Sequence, residues 1–362
     1  MTRLIICLLF GAASIGTIFA SSSENKKEKE EHNAKELNAT ELIMHHISDS
    51  HEWHIITFNS GREDEVHLAI PLPVILWYKG LHVFSSARMH HEEPIQIGDN
   101  YVVYEHEHGH FYLSNEKGAI LYHGDNEMIK PLDFSITRNV ASMFMGSIIL
   151  LLIVGSAASG YNKRGGLSVP KGVQLLVEPL VLFITDDIIK EQIHDKRKAD
   201  FFTPYLITLF CFIIINNIIG VIPFFPGGTN VSGNIAFTFV LAVISFLAVN
   251  IFASKNYWKH IFLAPGIPIP IKILFVPVEI IGIFTKPFAL MLRLFANITA
   301  GHIIILSLTL IIFVMGTVAA SPLSIILSFM MYCIELLVIF LQAFIFTLLT
   351  ALFIGMAVNE AH

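Results

Sequence analysis

The chain has 362 residues, 54% of them hydrophobic and 14% charged, with a formal net charge of −6 and a mean hydropathy of +0.65. That balance excludes an ordinary soluble domain and carries no basic signature of a nucleic-acid binder; long apolar runs point instead to an integral membrane protein. The three cysteines, Cys7, Cys211 and Cys333, lie in apolar segments without metal-ligand spacing, so neither a disulfide framework nor a cysteine metal site is expected.

The chain opens on MTRLIICLLFGAASIGTIFASSS, with Arg3, an apolar stretch from Leu4 to Phe19 and small residues from Ala20 to Ser23. This is the pattern of a secretory signal peptide over residues 1–20, which implies a bacterial chain whose next segment is exported; an uncleaved anchor helix is the alternative. Residues 21–49 include the mixed-charge run ENKKEKEEHNAKE and read as a flexible segment.

Residues 50–133 change character. HIITFNS, VHLAI, ILWYKGLHVFSS, YVVYEHEHGHFYLS and AILYHG are short, β-branched and aromatic, with Gly, Asn, Asp and Pro between them. They predict a small β-rich domain, with a hairpin where NEKG separates the last two. Of the 17 histidines, 13 fall between His32 and His123. Strand alternation over EHEHGH would put His106, His108 and His110 on one face, where three imidazoles could bind Zn, Ni or Cu; a solvated polar face is the plainer alternative.

Residues 134–362 read as an all-α membrane domain with five spans: Val140–Ala158, Phe201–Ile222, Ile235–Ala253, Ile271–Gly316 and Pro322–Val358. The fourth would be about 65–70 Å long against roughly 30 Å of hydrocarbon, so it must tilt, bend or break, with Pro268, Pro270, Pro277 and Pro287 as the places to do so. The fifth is also overlong. Between the first two spans, VQLLVEPLVLFITDDIIK carries Gln174, Glu178 and Thr185 at helical spacing on an apolar body, which predicts an amphipathic helix lying in the membrane surface. Lys and Arg crowd the loop from 160 to 200 and recur after the third span, but are missing from 223–233 and 317–322. Those basic loops are therefore expected to face the cytoplasm, with the N-terminal domain periplasmic and His362 inside.

The last two spans carry Glu279, Lys286, Arg293, Asn297, His302, Glu335 and Gln342. An arginine at a helix centre costs roughly 2.5–3.5 kcal/mol on insertion scales, and intramembrane ionisable groups mark ion pathways. His302 lies nine residues beyond Arg293, about 13–14 Å along an ideal helix; Glu335 lies seven residues before Gln342 on the returning helix, about 10–11 Å. If Arg293 and Gln342 are level, His302 and Glu335 are nearly level too and form a candidate acid–base pair. Glu279, fourteen residues before Arg293, falls close to the same face as the arginine. Histidine and glutamate can load and release protons; arginine, whose pKa stays above about 12, can only act as a fixed cation.

LRLFANITAGH, ELLVIFLQAFIFTLLTALF, TKPFAL and INNIIGVIP together resemble subunit a of the F-type ATP synthase membrane sector over roughly residues 135–360. The resemblance implies that Arg293 faces a rotating ring of c subunits, with Asn297 and Gln342 beside it. It places Glu279 in a cytoplasmic half-channel, and Asn217, Asn234, His302 and Glu335 on the outer path. Here histidine and glutamate are exchanged relative to some members, and acids that some relatives have at the positions of Gly220 and Asn234 are missing. It further implies tilted long helices, a proton-translocating stator role in a bacterial inner membrane, and as partners the c ring, the b-subunit peripheral stalk, the remaining ATP synthase subunits and lipid. No cofactor and no nucleic acid are expected, and without a GxxxxGK[ST] signature ATP chemistry must lie in partner subunits. An ion-coupled secondary transporter, or a metal-binding membrane protein built on the histidine-rich exterior, are the alternative readings.

Overall fold

The computed structural model describes residues 43, 48–58, 66–90, 94–105, 109–123, 127–164, 169–222, 225–263, 268–315 and 321–358. The expected signal peptide, most of the charged segment, His106 and His108 lie outside them. The chain divides into two compact units, residues 1–142 with 222–229, and residues 143–221 with 230–362.

The first unit is built from short antiparallel strands. β1 (Glu52–Phe58) pairs with β2 (Val66–Pro71). β3 (Pro73–Trp77) and β4 (Leu81–Ser85) form a sheet in which β10 (Leu132–Asp133) covers the other edge of β3. β5 (Ile95–Ile97), β6 (Asn100–Glu105) and β7 (His110–Ser114) form a second meander, and β8 (Tyr122–His123) pairs with β9 (Glu127–Met128). Alternation sends Val74, Leu76 and Phe84 into a core shared with Ile95, Ile97, Val102, Phe111 and Leu113.

The structure corrects the reading of YVVYEHEHGHFYLS. It is not one strand but a hairpin, with Glu105 opposite His110 and Gly109 turning the chain at φ 66°. Glycine meets that left-handed backbone without the steric penalty a Cβ brings. His110 therefore sits on the returning strand, so no single strand runs from Glu105 to His110 as the alternation required, while His106 and His108 lie outside the described residues. The expected NEKG hairpin is present in short form: a turn from Asn115 to Ala119, the antiparallel bridge of Ser114 to Ile120, and the Leu121 amide donating to the Leu113 carbonyl.

One polar pair anchors this unit. His51, only 5% exposed, places Nε2 2.8 Å from Asp133 Oδ2 and stacks edge-on against Tyr104 and Phe111. Burial works against the Asp133 carboxylate, but hydrogen bonds from His51 and Ser135 outweigh it and hold the carboxyl below its ordinary range. Burial, with the nearby Glu52 and Asp133 charges, pushes the Tyr104 hydroxyl up to about 12.

The same unit contains the start of α1 (Arg138–Arg164). Asp49 accepts from Thr137 Oγ1 at 2.7 Å and from the Asn139 backbone at 3.1 Å, satisfying donors that a helix N-terminus leaves open. The Arg138 amide donates to the Ser50 carbonyl and its guanidinium to the Ser48 carbonyl.

The second unit is helical. α2 (Gln174–Phe183) runs through a π-helical stretch, Ile184–Ile189, into the short α3 (Lys190–Gln192). Then come α4 (Lys196–Val221), α5 (Ile235–Ile251), α6 (Lys255–Leu263), α7 (Ile269–Met315) and α8 (Ser321–Val358). Leu206, Phe210 and Ile213 of α4 pack with Leu241 of α5, Leu290, Leu294 and Ile298 of α7, and Ile339, Ala343 and Phe346 of α8. Among the described residues four helices are long and apolar enough to span a membrane, and α5 with α6, bent by 96° from it, makes a candidate fifth crossing. The expected third span is therefore shorter than it reads, because α5 stops at Ile251.

Two further expectations become more specific. α7 does not break: it runs through Pro277 and Pro287 for 47 residues. Proline removes one ladder bond and crowds the preceding turn, yet the helix continues through both. The polar side of α2 faces protein: Gln174 is buried and donates to the Ala157 carbonyl, and Glu178 accepts from the Tyr161 hydroxyl at 2.5 Å. Leu175, Leu176 and Leu182 are the exposed residues.

Asp133→Ala should weaken protection of the β3 and β10 amides against hydrogen exchange in the detergent-solubilised chain at pH 7, by about 1–3 kcal/mol. Because the folded carboxyl titrates below its unfolded value of 3.8, this contribution is complete above that value and is lost as pH falls through the folded one. The gap between parent and variant should accordingly close under acid.

Candidate functional site

α7 and α8 run antiparallel, and the Ser324 hydroxyl donates to the Leu308 carbonyl near their shared end. Further along, His302 Nε2 and Glu335 Oε1 come within 3.7 Å. That is ion-pair range but too long for a direct hydrogen bond. Glu335 is 3% exposed, and neither of its carboxylate oxygens has a hydrogen-bond partner among the described residues. Buried polar groups in native proteins are satisfied by protein or by water, so an unpartnered buried carboxyl beside an imidazole has the character of a group that exchanges protons.

A glycine lets the two helices meet here. A Cβ at Gly301 would lie 3.1 Å from Glu335 Oε1 and 3.3 Å from its Cδ. The Glu335 side chain thus rests on the bare backbone of α7, next to His302.

Arg293 lies on the other side of α7. It is exposed, and it has no hydrogen-bond or ion-pair partner among the described residues. Its exposed neighbours Ala289, Ala296 and Ala300 are small, so another helix can approach the backbone closely there. Asn297, one turn on, is exposed with it. The buried face of the same helix carries Leu290, Met291, Leu294, Ile298 and Ile305. Gln342 is buried on α8, and no hydrogen bond joins it to Arg293.

The remaining expected residues are scattered over other elements. Asn217, near the end of α4, is buried with its Nδ2 unpartnered among the described residues. Asn234 caps α5, accepting from the Ala236 amide at 2.9 Å, which is a sufficient structural reason for an asparagine there. Glu279 is half-buried and close enough to Tyr257 to act on its hydroxyl electrostatically. His110 is exposed, and among the described residues no group of three His, Cys, Asp or Glu is placed to hold a metal ion.

Residue reading missed several positions. Ser245, Asn250, Tyr257 and Phe353 line a small cavity beside Lys286. The Lys286 ammonium sits 5.4 Å from the Phe353 ring centre. Glu279, Lys286 and Arg293 are spaced by sevens on α7, as are Ser328, Glu335 and Gln342 on α8. Two helical turns bring such residues nearly to one face, so the spacing was a usable signal. Ser328, Thr299, Asn230 and Ser232 each bury a side-chain polar atom that lacks a partner among the described residues.

Comparison with known proteins follows the same division. The ATP synthase A chain family matches residues 140–355, and a domain of unknown function (DUF8433) matches residues 42–134. ATP synthase subunit a of Chloroherpeton thalassium is 45% identical over 239 residues, 64% of this chain and 70% of that one. ATP synthase subunit a 2 of Prosthecochloris aestuarii is 37% identical over 314 residues, 81% of this chain and 93% of that one. That alignment is longer than the stretch from residue 140 to the C-terminus, so it reaches into the β-rich part. ATP synthase subunit a of Anaeromyxobacter dehalogenans is 37% identical over 281 residues, 75% of this chain and 70% of that one. With its long apolar helices and a family match over more than half its length, the chain is a multi-pass membrane protein that belongs to the ATP synthase A chain family.

Proposed function

We propose that the chain is the proton-translocating stator subunit of an F-type ATP synthase, the complex after which its relatives are named. The observation that carries the reading is the pair of His302 and the buried Glu335, set on the same two overlong helices as an exposed Arg293 that has no partner among the described residues. Protons enter from the periplasmic side past Asn217 and Asn234, and His302 and Glu335 relay them toward a carboxylate on a ring of c subunits at the Arg293 face. After ring rotation they leave past Glu279 and the Lys286–Tyr257 cavity. Arg293 stays cationic throughout, attracts the ring carboxylate as it passes and bars direct passage between the two paths. Asn297 and Gln342 flank it. Each proton crossing 100 mV releases about 2.3 kcal/mol, which the ring converts to torque.

The b-subunit stalk would hold the chain against rotation, and nucleotide chemistry belongs to other subunits. The basic loops support a cytoplasmic C-terminus in a bacterial inner membrane, with residues 50–133 periplasmic after a cleaved leader. On this reading α2, with its exposed leucines, lies at the membrane surface.

Arg293→Ala should abolish ATP-driven proton pumping in inverted membrane vesicles while the assembled complex remains detectable; normal coupled pumping would remove the barrier role. The double variant His302→Glu with Glu335→His should retain more pumping than either single change, since it keeps one imidazole and one carboxyl together. A double variant no better than the worse single one speaks against the pair. Gly301→Val, assayed the same way, should cut pumping severely, and Gly301→Ala mildly, because a single Cβ asks Glu335 to move by a few tenths of an ångström and valine's two further methyls force it off its place.

A further inference from the structure

The sheet built from β10, β3 and β4 has an outer face that carries no charge. Beyond Asp133 the chain continues to pair with β3: the Phe134 amide donates to the Ile75 carbonyl and the Ile136 amide to that of Pro73. With the registers Leu132 to Trp77, Trp77 to Leu81, Ile75 to Val83 and Pro73 to Ser85, nine side chains form three rows on one side. The rows are Leu132–Trp77–Leu81, Phe134–Ile75–Val83 and Ile136–Pro73–Ser85. Trp77, Leu81, Val83, Leu132 and Phe134 are each more than half exposed. The opposite side of the sheet already holds the core, through Val74, Leu76 and Phe84. An antiparallel sheet with one face on a core ordinarily turns polar residues to water on the other, and a contiguous exposed apolar face marks an interaction site.

What covers it follows from where the strand goes. The pairing ends at Ile136, and Arg138 begins α1, a candidate membrane span. The first turn is bonded to the same unit through Asp49, Ser50 and Ser48, so the row at Ile136 is held at the helix start. Rows two residues apart are separated by about 6.8 Å, which puts the farthest about 13–14 Å from that start. α1 itself, at 27 residues, is about 40 Å long against roughly 30 Å of hydrocarbon, so its ends reach into the headgroup layers. The apolar face thus ends, at the Ile136 row, where the chain enters a candidate span. It presents tryptophan, phenylalanine and leucine, the side chains that partition at the boundary between headgroups and acyl chains.

We propose that this face is a lipid-docking surface, seated in the interfacial layer of the leaflet on the N-terminal side, with Trp77 as its anchor. It acts as a second membrane attachment for the β-rich unit and is independent of the proton path.

The test uses the whole ATP synthase complex carrying Trp77→p-benzoylphenylalanine, reconstituted in vesicles of phosphatidylethanolamine and phosphatidylglycerol and irradiated. Glu116→p-benzoylphenylalanine, at an exposed turn, is the reference, and Leu81→p-benzoylphenylalanine replaces the first variant if that one does not assemble. Mass analysis should find phospholipid joined to the peptide containing the label, several-fold above the reference. Attachment to another polypeptide, to a second copy, or to residues 1–47 of the same chain overturns the proposal, and so does lipid labelling no greater than at position 116. ATP-driven pumping of the same vesicles is measured alongside, so a failure here is separable from a failure of the proton-path reading.

Discussion

The cost of an unpaired charge in hydrocarbon governs this molecule. A bilayer core offers no solvent to a guanidinium or a carboxylate, so each such group must be near water, near a counter-charge, or in use. α7 and α8 together hold Arg293 and Glu335 and solve the problem in opposite ways. Glu335 goes inward, under the neighbouring helix and beside His302. Arg293 goes outward, onto a face of small residues, without a partner within the described chain. A folding pattern concerned only with stability would have paired the two. The structure instead keeps them apart, on opposite sides of one helix, as the proposed function requires.

Helix continuity is what makes that separation hold. α7 runs unbroken for 47 residues, which fixes the azimuth of Arg293 against that of His302, about half a turn apart, and the spacing of both from Glu279. A break at Pro277 or Pro287 would have freed those angles. The close approach at Gly301 adds a second constraint, since the depth to which Glu335 enters depends on a position without a side chain. In the same unit, α2 turns Gln174 and Glu178 to hydrogen-bond partners on α1 and leaves leucines outside. This is the inverse of a water-facing helix, and it fits an environment where exposed means lipid.

The β-rich unit obeys soluble-protein rules in its core and departs from them on one surface. Its bond from the buried His51 to Asp133 and the Asp49 cap on α1 are ordinary satisfaction of polar groups. The bare apolar rows around Trp77 are not, and they belong to the sheet strand that leads into α1. Edge pairing, helix capping and the apolar face thus concern the same few residues, Leu132 to Asn139.

Much of this was legible in the residues alone. Membrane character, the helical segments, the excess length of the last two and the identity of the charged residues in them follow from composition and period, which are local properties. The level arithmetic that brought His302 opposite Glu335 worked because a helix has a fixed rise per residue. Tertiary structure decided the rest. Whether EHEHGH continues as a strand or folds back depends on which neighbour accepts its hydrogen bonds. That α5 stops at Ile251, just before the Ser254 amide bonds to the Ala357 carbonyl, and that the polar side of α2 points inward to α1, involve partners on other elements. The rows joining Leu132 to Trp77 and Leu81 needed a register across more than fifty residues, and register is a long-range quantity that no local pattern encodes.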